Sequence, residues 1–209
     1  MKILIADDHS VVRRGLKQII VMRPGWTVAG EVSSPDEVLS ALRLQEFDMI
    51  ILDVSLGARS GIDVLGDIRA EFPRLPVLML SMHDEEQYAI RCLRAGASGY
   101  IQKDGSPEEL LEAMQRVAMG RTYVSEAVAE QLATEVARGS SEHHPHERLS
   151  AREFEVFRLL GSGKSATEIA DALHLSVKTV STYRKRILMK TGFRSNADII
   201  TYAIRSGLM

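Results

Sequence analysis

The sequence predicts two domains: an α/β doubly wound five-stranded parallel sheet, then an all-α unit of four helices. Three observations carry this. Short apolar runs alternate with amphipathic stretches through about the first 120 residues, the pattern of a parallel sheet with crossover helices. The segment RGSSEHHPHER, residues 138–148, is rich in Gly, Ser, His and charge and reads as a flexible linker. Charge divides at the same place: residues 1–138 carry 15 Lys and Arg against 21 Asp and Glu, and residues 139–209 carry 11 against 7. An acidic half joined to a basic half implies different partners, with nucleic acid the candidate for the basic one.

The strands are expected at 2–6, 26–31, 48–52, 76–80 and 98–102. The third and fourth are continuously apolar, as central parallel strands covered on both faces must be. Ser34-Pro35-Asp36-Glu37 and Ser106-Pro107-Glu108-Glu109 each supply an N-cap serine, a proline at the first helical position and a capping-box glutamate. A further helix is expected over about 124–137. The expected division is therefore 1–121 for the sheet domain, 122–148 for a linker helix and flexible linker, and 149–209 for the helical domain. His143, His144 and His146 cluster in the linker, but Pro145 interrupts them and no partner ligands stand nearby, which favours solvated residues over a metal site. Beyond the linker, Ser150 with Glu153, Ser165 with Glu168 and Ser195 with Asp198 open three helices and Ser176 opens a fourth.

With 209 residues and 45% hydrophobic content, the chain can build two small cores. No run reaches the length of a membrane span, the N-terminus lacks a signal-peptide pattern, and the single Cys92 can form no internal disulfide. A cytoplasmic protein is expected.

In an open parallel sheet, function gathers beyond the carboxyl ends of the strands where strand order reverses. The first strand here ends in Asp7-Asp8, the third in Asp53, the fourth in Ser81, and the fifth leads into Lys103. With strand order 2-1-3-4-5, three carboxylates converge beside a hydroxyl and an ammonium. Such carboxylates repel unless a cation holds them, and Mg²⁺ (or Mn²⁺) suits two carboxylates, a carbonyl and several waters. Asp53 is then the candidate nucleophile toward phosphorus, with Lys103 and Ser81 placed for phosphate oxygens.

This set, Asp7-Asp8, Asp53, Ser81, Tyr100 and Lys103, resembles the receiver domain of bacterial two-component response regulators, a flavodoxin-like fold. The resemblance implies a metal site of Asp7, Asp8, Asp53 and the backbone carbonyl of Ser55. It implies Asp53 as phosphoacceptor from a sensor histidine kinase, Lys103 as phosphate contact, and Ser81 with Tyr100 as a switch pair. The family's proline four residues after the phosphoacceptor is here Gly57, which is expected to loosen that loop; its glycine eight residues on is present as Gly61.

Residues 165–190 read as helix, turn, helix. Ile169, Ala170 and Leu173 make one apolar face, Leu175 and Val177 are expected to fill the turn, and Val180 and Ile187 sit seven apart on the second helix. Lys178, Ser181, Thr182 and Lys185 lie opposite, a basic, hydroxyl-bearing face suited to the major groove. Leu149-Ser150-x-x-Glu153, Gly163-Lys164-Ser165-x-x-Glu168-Ile169-Ala170, Ser176-x-x-Thr179-Val180 and Lys190 resemble the LuxR-type helix-turn-helix, and the whole chain resembles the NarL/FixJ subfamily. That implies Ser181, Thr182 and Lys185 at base edges, with Lys178, Thr179, Tyr183, Arg184 and Arg186 at phosphates. Many relatives have Lys and His at the positions of Ser181 and Tyr183, so their site sequence does not transfer. The helix at about 195–207 resembles the one through which such domains pair, with Ile199, Tyr202 and Ala203 as dimerisation residues.

The expected function is a phosphorylation-controlled transcriptional regulator binding a roughly palindromic double-stranded DNA site as a homodimer, with no membrane partner. It is expected to be no enzyme beyond accepting phosphate from a donor and slowly losing it. Dehalogenase-type phosphatases also use a magnesium-bound aspartate but place an acid/base aspartate two residues on, where this chain has Ser55. A constitutive DNA-binding protein with a receiver used only for dimerisation is opposed by the intact acidic set.

Overall fold

The computed structural model describes residues 1–57, 59–82, 85–137 and 144–208. The chain divides into two units, Met1–Arg138 and Gly139–Met209. In the first, five parallel strands, β1 (Lys2–Ala6), β2 (Thr27–Val32), β3 (Met49–Asp53), β4 (Val77–Ser81) and β5 (Gly99–Gln102), lie in the order β2-β1-β3-β4-β5. The order reverses at β1/β3, as the strand-end argument required. The strands β2 to β5 each start one residue later than the sequence pattern placed them. In return β3 and β4 run through Asp53 and Ser81, so both functional positions sit in the ladder, paired with Leu80 and Gln102. Those hydrogen bonds, rather than a loop, hold the two side chains in place.

The helices of this unit are α1 (Ser10–Ile20), α2 (Pro35–Leu44), α3 (Gly61–Glu71), α4 (Glu85–Arg94), α5 (Pro107–Ala118) and α6 (Glu126–Ala137). Strand alternation assigns the core. Ile3, Ile5, Met49, Ile51, Leu78, Leu80 and Ile101 face one way, packed with Leu16 and Ile20 of α1 and Leu110, Met114 and Val117 of α5. The intervening residues, including Leu4, Ile50, Leu52, Met79 and Tyr100, point to the other face and are equally buried. The capping box at Ser34 and the N-cap at Ser106 start α2 and α5 as their sequences specify. The outer edge of β5 is closed by Tyr123, which exchanges backbone hydrogen bonds with Tyr100 and Ser98, and α6 then packs on α4.

The second unit holds a 3-10 turn (Pro145–Arg148) and α7 (Ala151–Gly161), α8 (Ala166–Ala172), α9 (Val177–Thr191) and α10 (Asn196–Arg205). Capping boxes at Ser150, Ser165 and Ser195 and the N-cap at Ser176 open the four helices. Phe154, Phe157, Leu160, Ile169, Val180, Ile187, Ile199 and Ala203 form the core. One sequence expectation fails here. Val177 does not fill the turn: with Ser176 as N-cap it is the first helical residue and is 45% exposed, while Leu175 alone is half-buried there. In the linker cluster, His143 lies outside the described residues. His146 Nδ1 is 2.7 Å from the Tyr202 hydroxyl, so that ring packs on α10 as part of the second unit.

Candidate functional site

The adjacency of β1 and β3 brings Asp7 and Asp53 together, each only 1% exposed. Lys103, just after β5, reaches between them: its Nζ is 2.8 Å from Asp7 Oδ2 and 2.7 Å from Asp53 Oδ2. Its own backbone N–H donates to the Ser81 carbonyl. The remaining oxygens are held by main chain. Asp7 Oδ1 accepts from the His9 N–H at 2.7 Å, and Asp53 Oδ1 from the Ser55 N–H at 3.1 Å. Arg13 donates to the Asp7 carbonyl at 2.6 Å, fastening the end of β1 to α1.

Burial pushes the Asp53 carboxyl above its ordinary range, and the neighbouring Asp7 adds to this while Lys103 opposes it. Burial alone would pull the Lys103 ammonium down, but Asp53 and Asp7 outweigh it and hold the amine charged. Asp8 lies at the rim. Its Oδ2 accepts from the Gly57 N–H at 3.2 Å, and the His9 imidazole stands 2.7 Å from its Oδ1. Ligating atoms of Asp7, Asp8, His9 and Asp53 lie within 4.8 Å of one another. Asp7 Oδ2 and Asp8 Oδ1 are buried, each with a single cationic or imidazole nitrogen beside it, Lys103 Nζ and His9 Nδ1, so each keeps a lone pair to offer. Oxygen donors with lone pairs to spare, gathered in this way, fit a hard divalent cation. His9 is the member of this group that motif reasoning passed over, although it directly follows Asp8 in the chain.

Two glycines shape the loop beyond Asp53. At Gly61 an added Cβ would lie 1.9 Å from the Asp53 carbonyl oxygen, so only glycine lets α3 start against the back of the site. Gly57 has φ +57° and open space around it. Its N–H is engaged with Asp8 and the Ser55 carbonyl, a positioning role that the expectation of a loosened loop did not include. Ser81 and Tyr100 are both fully buried. Tyr100 pairs in register with Met79, two residues before Ser81, so the two share the sheet face opposite α1 and α5.

In the second unit, Lys178, Ser181, Thr182, Lys185 and Arg186 are exposed along α9, whereas Thr179, Tyr183 and Arg184 are half-buried. The Ser181 and Thr182 hydroxyls donate back to the carbonyls of Val177 and Lys178, leaving their lone pairs outward. Thr179 is tied into the N-cap through Ser176, and Arg184 Nε donates to Asn196 at 2.6 Å, bracing α9 against α10. The inner end of α9 is fixed by Lys190, 2.6 Å from Glu153.

The expected pairing residues need correction. Ile199 and Ala203 are fully buried. A Cβ added at Gly161 of α7 would come within 2.8 Å of the Ala203 methyl. Tyr202 is half-buried among Phe157, Phe193 and His146. Helical periodicity finds the apolar face of α10, and that face is consumed by the domain's own core. The outer positions are Ala197, Thr201 and Ile204, with Ile200 half-buried; Ile204 is 58% exposed.

Comparison with known proteins agrees with both halves. Residues 3–115 match the response regulator receiver domain, and residues 147–203 match the luxR family of bacterial regulatory proteins. Response regulator UvrY of Escherichia coli K12 is 29% identical over 208 residues, covering 100% of this chain and 95% of its own. Oxygen regulatory protein NreC of Staphylococcus aureus JH9 is 34% identical over 215 residues, covering 100% and 99%. The structure of RcsB from Salmonella enterica serovar Typhimurium, bound to promoter rprA in the presence of the phosphomimetic BeF3−, superposes with a TM-score of 0.63 at 28% identity and 97% coverage of both chains.

Proposed function

The chain belongs to the response regulators that join a receiver domain to a luxR-family DNA-binding domain, and on that premise we propose that phosphorylation of Asp53 by a sensor histidine kinase controls its binding to DNA. The observation that carries this is the geometry around Asp53: a strand-borne carboxylate beside Asp7 and Asp8, with a charged lysine 2.7 Å away. As Asp53 attacks, the donor's P–N bond breaks and the new O–P bond forms. Lys103, no longer needed between two carboxylates, turns its ammonium to a phosphoryl oxygen. Ser81 donates its hydroxyl to another, and Tyr100 moves within the face they share, altering the surface of α4 and β5. Mg²⁺ or Mn²⁺, held by Asp7, Asp8, Asp53 and the Ser55 carbonyl, would supply the countercharge that phosphoryl transfer needs. Ser55 stands where a phosphatase would need an acid or base, so the phosphoryl group is lost only slowly and no further substrate is turned over.

Residues 149–209 act as the reader, with 122–148 joining them to the receiver of residues 1–121. Lys185, Thr182 and Ser181 face base edges; Lys178, Arg186 and the partly engaged Thr179, Tyr183 and Arg184 lie toward phosphates. Two copies paired through the outer face of α10 bind a roughly palindromic site, in the cytoplasm where the DNA lies. Among the described residues no helix is long and apolar enough to cross a membrane. Intact-mass measurement after incubation with acetyl phosphate and Mg²⁺ tests the central step: wild type gains one phosphoryl group and Asp53→Asn gains none. Equal uptake by both would overturn the assignment.

A further inference from the structure

The Gly57 amide points at two groups that the receiver reading assigns to the cation. Its N–H lies 3.2 Å from Asp8 Oδ2 and 3.2 Å from the Ser55 carbonyl oxygen. The loop that presents this amide leaves Gly57 at φ +57°, a region that favours glycine. Proline at this position would hold φ near −65° and carry no N–H at all. No atom lies within 4 Å of a Cβ built on Gly57, so the demand is conformational and not one of space.

The consequence falls on Asp8. With Oδ2 held by the Gly57 amide, the carboxylate is fixed in rotation, and Oδ1, which has the His9 imidazole 2.7 Å away, is turned into the cluster formed with Asp7, His9 and Asp53. A hydrogen bond to a charged carboxylate is among the stronger ones, and fixing a ligand before binding lowers the ordering cost of the complex. The structure assigns the Gly57 amide to positioning Asp8 and the Ser55 carbonyl for a divalent cation. Gly57 is a positioning residue: it acts through Asp8 and Ser55 and contributes no ligand atom. The assignment rests on the receiver reading.

Mn²⁺ binding to the full chain tests it, followed by loss of the free-ion electron paramagnetic resonance signal, with Mg²⁺ measured by competition. Gly57→Pro is expected to weaken binding about tenfold. Gly57→Asn, which keeps the N–H and tolerates the left-handed region, should stay within about twofold of wild type. In an Asp8→Asn background, measured at millimolar Mn²⁺, Gly57→Pro should add little further loss, because the coupled partner is gone. If Gly57→Pro does not fold by circular dichroism, Gly57→Val takes its place, since a β-branched residue keeps the N–H but resists positive φ. Unchanged affinity in the proline or valine variant would overturn the inference, as would a loss undiminished in the Asp8→Asn background. Absence of divalent binding by the wild type would overturn the receiver reading itself, and this inference with it.

Discussion

Lys103 shows how one side chain makes the acidic pocket tolerable. Its ammonium is 2.7–2.8 Å from carboxylates at the ends of two different strands, and all three side chains are at most 4% exposed. Removing one partner of a buried charge set costs about 3–5 kcal/mol, chiefly because the others remain buried and unpaired. Lys103→Ala is therefore expected to lower the melting temperature markedly in EDTA, and much less in millimolar Mg²⁺, which substitutes for the lost countercharge. Thermal melts of both proteins with and without Mg²⁺ measure this; an equal drop in the two conditions would place the role of Lys103 outside the acidic pocket.

At the scale of the element, α7 and α9 are joined through Glu153. This carboxylate closes the Ser150 capping box and accepts from Lys190. Burial raises its pKa, but the bonds from Lys190 and Ser150 outweigh burial and hold it below the ordinary 4.5. A depressed folded-state pKa contributes stability that is present above the unfolded value and lost as pH falls through the folded one. The helical domain should thus lose stability below about pH 4.5. Glu153→Gln should cost about 1–2 kcal/mol at pH 7 and flatten the acid dependence. Urea denaturation at several pH values reads both effects.

The recognition helix α9 makes a second prediction at this scale. Lys185 lies on the exposed stripe with Ser181 and Thr182, so Lys185→Ala should cost about 1–3 kcal/mol on a selected site and relax the preference at one base pair. Arg186→Ala should weaken selected and scrambled DNA alike and lower the salt slope by about one. Titrations on both DNAs at several salt concentrations separate the two behaviours.

For the whole molecule, two copies must meet to read a palindrome, and α10 offers only its outer face for this. Ile204, 58% exposed, is the largest exposed apolar side chain there. Ile204→Glu is expected to leave the fold intact while abolishing cooperative binding to a two-half-site DNA, with single half-site affinity retained. Ile199→Glu, by contrast, should unfold the helical domain, because it buries a charge in the core. Circular dichroism and DNA titration distinguish them. Phosphorylation is expected to bias the same pairing: a phosphoryl group adds about −1.5 to −2 charge, and a few kcal/mol suffices to invert a two-state population. Sedimentation with and without BeF3− reads that bias.

The order of elements, the helix caps at Ser34, Ser106, Ser150, Ser165, Ser176 and Ser195, and the identity of the Asp7, Asp8, Asp53 and Lys103 set were legible in the sequence. They depend on local chemistry: hydrophobic period, capping spacing and the residue at each strand end. What the sequence could not supply was direction. The apolar residues of α10 have one period whether they face a core or a partner, so only the packing of Ile199 and Ala203 against α7 showed that they were already spent. Gly57 carries only permission for an unusual φ; the fold turned that freedom into an amide aimed at Asp8. His9 joined the acidic cluster because the chain folds Asp53 next to its neighbours, a proximity of 44 residues in sequence. Local preference is written in neighbouring residues, whereas which face is buried and which polar groups converge depend on contacts between elements distant in the chain, and only the tertiary structure decides those.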